Sequence, residues 1–137
     1  MILGVGIDMV EVARVLEKIS KNNGFKEKIF SEREIAFCES KKNKGENYAA
    51  RFAAKEAFLK ATGLGLMLGH ELSNVEVVND DHGKPSLNLK GDFKLKSLES
   101  NWNKIHLSMS HLQNITCAIV IIEIGRASCR ERVLQVV

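Results

Sequence analysis

The chain has 137 residues, a length that fits one domain with one hydrophobic core. Apolar residues make up 45% and charged residues 27% of it, a composition typical of globular proteins. The formal net charge of +3 is too small to indicate nucleic acid, although it would suit an acidic partner. Aromatic residues are only 6%, which also disfavours a small nucleic-acid binder.

Neither export nor a membrane span is expected from the sequence. The first ten residues lack a basic segment, and Asp8 interrupts their apolar run. No stretch approaches the roughly 20 apolar residues of a membrane span. The three cysteines, Cys38, Cys117 and Cys129, show neither pairing nor metal-binding spacing. Such usage is typical of reduced thiols, so we expect a cytoplasmic protein.

The first half of the chain predicts one strand followed by three helices. Residues 2–10 are rich in apolar and β-branched residues and predict a strand. Apolar residues at helical spacing predict a first helix over 10–22. Residues 31–41 begin with the serine and glutamate of a capping box, which indicates a second helix. The third helix is expected to start near Asn47 and to stop at Gly63.

The second half of the chain predicts mainly strands. A glycine-punctuated loop over 63–74 follows the third helix. Residues 75–91 indicate strand, turn and strand, and two further strands are expected at 104–111 and 115–123. Because most helices precede most strands, the predicted class is α+β, with a mostly antiparallel sheet in a single domain.

Residues 124–137 do not fit this pattern, because they show neither a turn motif nor an amphipathic period. The run EIGRASCRERV, which starts at Glu123, resembles the translation of a sequencing adapter. We therefore predict a domain over 1–123 and a non-native tail over 124–137. The tail contains three arginines and one glutamate, so its removal would lower the net charge from +3 to +1.

The third predicted helix carries two pairs of charged residues. On a helical wheel, Glu56 and Lys60 interrupt the apolar surface, whereas Arg51 and Lys55 lie on the side expected to face solvent. Glu56 and Lys60 could form a simple i, i+4 ion pair. Alternatively, the glutamate could bind a divalent cation and the lysine a phosphate. An unpaired charge on a packed face would be costly, so some partner is required.

Asp8 comes at the end of the first predicted strand, directly before a helix. It could cap that helix or interact favourably with its dipole. It could also meet Glu56, so that two carboxylates bind one Mg²⁺ together with phosphate oxygens and water. The sequence pattern leaves both alternatives open.

Polar residues alternate along the predicted strand 104–111. His106, Ser108 and Ser110 share one face of it. A single strand histidine is more commonly structural, but three polar groups on one face favour a functional surface. Gly63 and Gly65, after the third helix, could let backbone N–H groups approach a phosphate, although they form no Walker motif.

Four stretches together resemble one known family. They are GIDMVEVAR (6–14), RFAAKEAFLKATGLG (51–65), GKP (83–85) and HLSMSH (106–111). In order and spacing, residues 1 to about 123 are similar to the holo-acyl-carrier-protein synthases, the small single-domain class of 4′-phosphopantetheinyl transferases. The helix stretch is the most specific of the four, and GKP alone would carry little weight.

The resemblance implies a fold, a reaction and partners. The fold would be that of the 4′-phosphopantetheinyl transferases, a small antiparallel sheet packed with helices. The reaction would move 4′-phosphopantetheine from coenzyme A to a serine of apo-acyl carrier protein, with Mg²⁺, and release adenosine 3′,5′-bisphosphate for fatty acid biosynthesis. A homotrimer with sites between neighbouring copies is also expected. The competing hypothesis is a non-catalytic module that binds coenzyme A or a carrier protein.

The resemblance further implies a catalytic group. Asp8 and Glu56 correspond to the Mg²⁺ carboxylates, and Lys60 corresponds to the lysine that reaches the pyrophosphate. The presence of all three argues against the non-catalytic module. Either Glu56 or a metal-bound water would accept the proton of the carrier serine, and the sequence does not choose between them.

Two sets of binding residues complete the expectations. Coenzyme A would contact Arg51, Lys60, Gly63, Gly65, His106 and Ser108. The acidic carrier protein would contact Arg14 on the first helix, and Lys18 and Lys21 extend that basic stripe by spacing alone.

Overall fold

The computed structural model describes residues 1–64 and 71–125. Its elements in chain order are β1 (Ile2–Glu11), α1 (Val12–Ser20), α2 (Phe25–Ile29), α3 (Glu32–Glu39), α4 (Lys44–Thr62), a 3₁₀ turn (Leu72–Asn74), β2 (Val75–Asn79), β3 (Pro85–Leu89), α5 (Gly91–Glu99), β4 (Trp102–His111) and β5 (Ile115–Ile124). The predicted α+β class with antiparallel strands is confirmed. The strands form two sheets, where the sequence had suggested one.

The larger sheet has three antiparallel strands in the order β1-β5-β4, and the smaller one is the β2–β3 hairpin. Burial alternates strictly along β5. Its even-numbered residues from 116 to 124 are buried, and the odd-numbered ones are partly exposed. This alternation is what a sheet with one covered face requires. The long helix α4 packs against the buried face, where β-branched residues of β5 meet its alanines.

Two glycines of β1 allow α4 to approach the sheet closely. A Cβ atom added at Gly6 would lie 1.9 Å from the carbonyl oxygen of Ala57, and one added at Gly4 would lie 1.9 Å from that of Ala61. Only glycine permits such backbone contact. Asp8 follows Gly4 and Gly6 on the same side of the strand, so the close packing brings its carboxylate to α4.

The orientation predicted for the charges of α4 is wrong. Lys55 is completely buried and Arg51 is only 2% exposed, whereas Glu56 is half-buried and the Lys60 side chain is 55% exposed. The reason is that α4 is covered on two sides. The three-stranded sheet covers its alanines, while α3 and β2 present a carboxylate and an amide to the two buried cations.

The ends of several elements also differ from the expectations. The capping box of Ser31 and Glu34 is confirmed at the start of α3. The five-residue α2 is too short to show a helical period, and α5 begins at a glycine, so the sequence indicated neither.

β5 continues through Ile124, one residue past the predicted domain end, and that side chain is buried. The rest of the predicted tail, from residue 126, lies outside the described residues. No helix within the described ranges is long and apolar enough to cross a membrane.

Candidate active site

Asp8 contacts Lys60 across the interface between β1 and α4. The Lys60 Nζ atom donates to Asp8 Oδ1 at 3.0 Å and to the carbonyl oxygen of Ile7 at 2.9 Å. Asp8 lies three residues before the end of β1, and the residue that caps α1 is Glu11. The cap alternative for Asp8 is therefore wrong, and the simple i, i+4 pair of Lys60 with Glu56 is replaced by a bridge to the strand.

Glu56 lies one turn before Lys60 and interacts electrostatically with Asp8. Burial raises the pKa of Glu56, the charge of Asp8 raises it further, and the cations Lys60 and Lys18 act in the opposite direction. Two carboxylates that repel each other in a partly buried place fit a divalent cation. The described residues contain no group of three or more His, Cys, Asp or Glu side chains that could hold a metal. Water, phosphate oxygens or backbone carbonyls would therefore supply the remaining ligands.

A cleft of about 250 Å³ lies beside these carboxylates. Its lining consists of Asp8, Met9, Val10, Glu11, Arg14, Val15, Lys18, Phe52 and Glu56. Two cations of α1 thus share a cleft with both predicted metal ligands. Lys21 does not line the cleft, since it follows the last turn of α1 and lies 3.7 Å from Glu17.

A second cleft of about 220 Å³ is bordered by Arg51. Its Nη2 atom donates to Asn79 Oδ1 at 2.7 Å, and its guanidinium lies 4.1 Å from the centroid of the Phe37 ring. Its buried Nε atom has no hydrogen-bond partner among the described residues. His111 also lines this cleft, with Nδ1 3.6 Å from Glu46 Oε2. The guanidinium of Arg51 brings positive charge to the lining of this cleft, which is suited to attract an anion.

Asn79 and His111 were not among the predicted site residues. Two sequence features could have pointed to them. The GKP stretch supplies Gly83 and Pro85 to the same lining, and strand alternation placed His111 opposite to His106.

His106 and Ser108 lie on the outer face of the three-stranded sheet, away from α4. Their register partners in β5 are Ile121 and Ile119, which belong to the partly exposed face. The His106 Nε2 atom lies 3.4 Å from Glu123 Oε1. A single chain therefore does not bring His106 and Ser108 to the cleft of Asp8 and Glu56.

Gly63 ends α4 in the left-handed conformation with φ of 73°, as the sequence predicted for the helix stop. The backbone there requires a residue that tolerates positive φ, which is the usual reason for glycine after a helix. Gly65, the second predicted glycine of this loop, lies outside the described residues.

Comparison with known proteins identifies the family. Residues 4–120 match the model of the 4′-phosphopantetheinyl transferase superfamily. The chain belongs to this superfamily. A holo-[acyl-carrier-protein] synthase of Geotalea daltonii is 41% identical over 124 residues, which cover 90% of this chain and 99% of that protein. One of Cytophaga hutchinsonii is 53% identical over 85 residues, which cover 62% of this chain and 67% of the relative.

A solved structure supports the same assignment. The holo-(acyl-carrier-protein) synthase of Bacillus anthracis, crystallised in complex with CoA (3′,5′-ADP), is 35% identical, with a TM-score of 0.76 over 91% of this chain and 99% of that one. These similarities confirm the predicted enzyme class, a phosphopantetheinyl transferase of the holo-acyl-carrier-protein synthase kind, and its fold. The region that matches the superfamily includes every residue of the two clefts.

Proposed function

We propose that this enzyme transfers 4′-phosphopantetheine from coenzyme A to a serine of apo-acyl carrier protein and releases adenosine 3′,5′-bisphosphate. The observation that carries the proposal is the cluster of Asp8, Glu56 and Lys60 at a cleft that also contains cations of α1. Membership of the superfamily supports 4′-phosphopantetheine as the transferred group, and the complex of a relative with CoA supports coenzyme A as the donor. The pathway would be fatty acid biosynthesis in the cytoplasm, where Cys38 and Cys117 would stay reduced.

Asp8 and Glu56 would hold Mg²⁺ in this reaction. The bound ion would neutralise negative charge on the pyrophosphate of coenzyme A and so stabilise the leaving bisphosphate. Lys60, which is largely exposed beside Asp8, would donate to a phosphate oxygen and share that charge. Either Glu56 or a water at the site would accept the proton of the serine hydroxyl.

The remaining binding residues would divide between coenzyme A and the carrier protein. Arg51 in the second cleft would bind a phosphate of coenzyme A, and the backbone at Gly63 and Gly65 would approach another. His106 and Ser108 would contact the coenzyme A that is bound to a neighbouring copy. The acidic carrier protein would dock on α1 through its three cations, Arg14, Lys18 and Lys21.

The outer face of the three-stranded sheet supports assembly into a homotrimer. Val5, Ile7 and Met9 point outward from β1 and are all more than half exposed. They pair in register with Ile121, Ile119 and Cys117 of β5, so the apolar surface is continuous across two strands. A contiguous apolar surface of this kind is typical of a protein interface. Its burial against another copy would bring His106 and Ser108 next to a neighbour.

We also propose that the native domain ends close to Gly125 and that the residues after it are foreign. The support is that Ile124 still belongs to the core, whereas the adapter-like sequence continues beyond it. Resequencing of the locus tests this directly, and genomic continuity through codon 137 would contradict it.

The decisive test of the function is the conversion of apo- to holo-carrier protein, followed by mass spectrometry. The full chain and a version that ends at Gly125 are incubated with fresh coenzyme A and an apo-acyl carrier protein, with and without Mg²⁺. We expect a mass increase by one phosphopantetheine that requires Mg²⁺. The absence of product over hours from both versions would instead support a non-catalytic binding module.

A further inference from the structure

Lys55 and Glu34 form an ion pair in which both side chains are fully buried, with 2.7 Å between Nζ and Oε1. The Lys55 Nζ atom also donates to two backbone carbonyls, that of Leu72 at 2.9 Å and that of Val75 at 2.6 Å. Glu34 Oε2 accepts from the N–H of Val77 at 3.0 Å. The pair therefore ties α3 and α4 to the start of β2.

Stability alone does not explain this arrangement. Two charges lose their hydration when they are buried, and well-packed apolar side chains in their place often leave a protein equally stable. Unlike hydrogen-bonding groups, apolar side chains do not fix the orientation of the backbone that they contact. The ammonium group of Lys55 has three N–H donors, and each of the three has an acceptor at a fixed place. The pair thus sets the position of the backbone between Leu72 and Val77.

That backbone leads directly to the second cleft. β2 begins at Val75, where Lys55 holds it, and ends at Asn79, which accepts the hydrogen bond of Arg51. Arg51 lies one turn before Lys55, so α4 donates hydrogen bonds to both the first and the last residue of the same short strand. Asn79 in turn donates to the carbonyl oxygen of Gly83 at 3.0 Å and so fixes the turn of the hairpin.

We propose that Lys55 and Glu34 are positioning residues that set the β2–β3 hairpin against α4 and thereby shape the anion-binding wall formed by Arg51 and Asn79. The identity of the anion, a phosphate of coenzyme A, rests on the proposed function. Neither Lys55 nor Glu34 lines this cleft, so both act through the hairpin.

The test compares Lys55→Met, Glu34→Gln and the double variant Lys55→Met/Glu34→Leu. We expect the KM for coenzyme A to rise roughly tenfold, about the effect of one misplaced charge-assisted hydrogen bond. The kcat and the KM for the carrier protein should stay nearly unchanged. Calorimetry with adenosine 3′,5′-bisphosphate should show a similar loss of affinity. Lys44→Met is the matched control, because Lys44 lies on the same helix in an exposed pair with Glu39.

The double variant keeps the test decisive, since a single substitution leaves one buried charge without its partner and could prevent folding. A lower melting temperature with unchanged affinity for coenzyme A would show a merely structural pair and would overturn the proposal. If the wild type neither converts carrier protein nor binds coenzyme A, the proposed function fails. Placement of the hairpin is then read from amide hydrogen exchange. Relative to the wild type, a larger increase of the exchange rate in β2 than in β5 of the double variant supports the proposal, and an unchanged exchange rate in β2 overturns it.

Discussion

At the scale of single residues, the surroundings of Glu56 decide what it does. Half-buried between β1 and α4, it is penalised for its charge by burial and by the neighbouring Asp8, which raises its pKa. A divalent cation would remove both penalties, since it supplies opposite charge at the place where water is partly excluded. Lys60 already provides Asp8 with part of this compensation. These surroundings support the proposal that the cluster binds a divalent cation and a phosphate.

Glu56→Gln tests this electrostatic role. The substitution keeps the volume of the side chain and removes its charge, so we expect turnover to fall by roughly 100-fold or more while the fold persists. The measurements are the carrier-protein conversion rate at saturating Mg²⁺ and the thermal melting curve. Glu32→Gln, on the exposed face of α3, is the control that should keep full activity. A normal rate in the Glu56 variant would remove this residue from the proposed metal site.

The positions of some charged residues could be predicted from the sequence, whereas the positions of others could not. Asp8, Glu56 and Lys60 were expected near one another from the resemblance, and the structure brings them together. The burial of Lys55 was not foreseeable in the same way. A helical wheel shows which residues share a side of a helix, but it does not show that α3 would present the carboxylate of Glu34 to that side.

At the scale of elements, α1 presents a polar face with two cations to the cleft beside Asp8 and Glu56. Arg14 and Lys18 line this cleft, and Lys18 also lies 5.8 Å from the centroid of the Phe52 ring. The helix therefore joins the expected docking surface of the carrier protein to the carboxylates. Cations at the rim of an interface act mainly on encounter and orientation, so their effect falls with ionic strength.

Arg14→Ala should mainly weaken recognition of the carrier protein. We expect its KM to rise about five-fold at low salt and less at high salt, with little change in the KM for coenzyme A. Steady-state kinetics at two ionic strengths measures this effect. Lys94→Ala, which removes an exposed cation from α5, is the matched control. An unchanged KM at low salt would mean that the carrier protein docks elsewhere.

The contact between β1 and α4 depends on glycine at Gly6. In Gly6→Ala the new methyl group would overlap the carbonyl oxygen of Ala57, so the helix would have to move away from the strand. We expect a loss of about 3 kcal/mol or more in the free energy of unfolding, measured by denaturant titration. Gly24→Ala is the control. Its Cβ would meet open space, so it should cost only about 1 kcal/mol for its positive φ. Equal losses in the two variants would contradict the proposed close packing.

At the scale of the whole molecule, the class and most of the strands were predictable, because β4 alternates apolar and polar residues and β5 is a nearly continuous apolar run of strand length. The division into two sheets was not predictable, since it depends on which strands pair over long sequence distances. The exposure of the β1 side chains was equally impossible to predict from the sequence. Alternation assigns Val5, Ile7 and Met9 to one face, but it does not say that no element of the described chain covers that face.

Ile7→Glu tests whether this face is an interface between copies. A carboxylate in the middle of a buried apolar surface would lose its hydration without a partner, so the assembly should dissociate to monomers. Sedimentation velocity measures the oligomeric state of the wild type and the variant. Leu95→Glu on α5 is the matched control, because Leu95 is 59% exposed and Ile7 is 57% exposed. A wild type that is monomeric at micromolar concentration would contradict the homotrimer.

The sheet separates His106 from Glu56 within one copy. If both residues contribute to one site between copies, two different inactive variants can restore activity to each other. Two inactive chains, one with Glu56→Gln and the other with His106→Ala, should complement each other when they are unfolded and refolded as a mixture. In random mixing at equal amounts, about a quarter of the sites would receive an intact residue from each parent. Recovered conversion activity in the mixture, absent from either parent alone, would reveal shared sites. No recovery from mixed assemblies would assign both residues to the same copy.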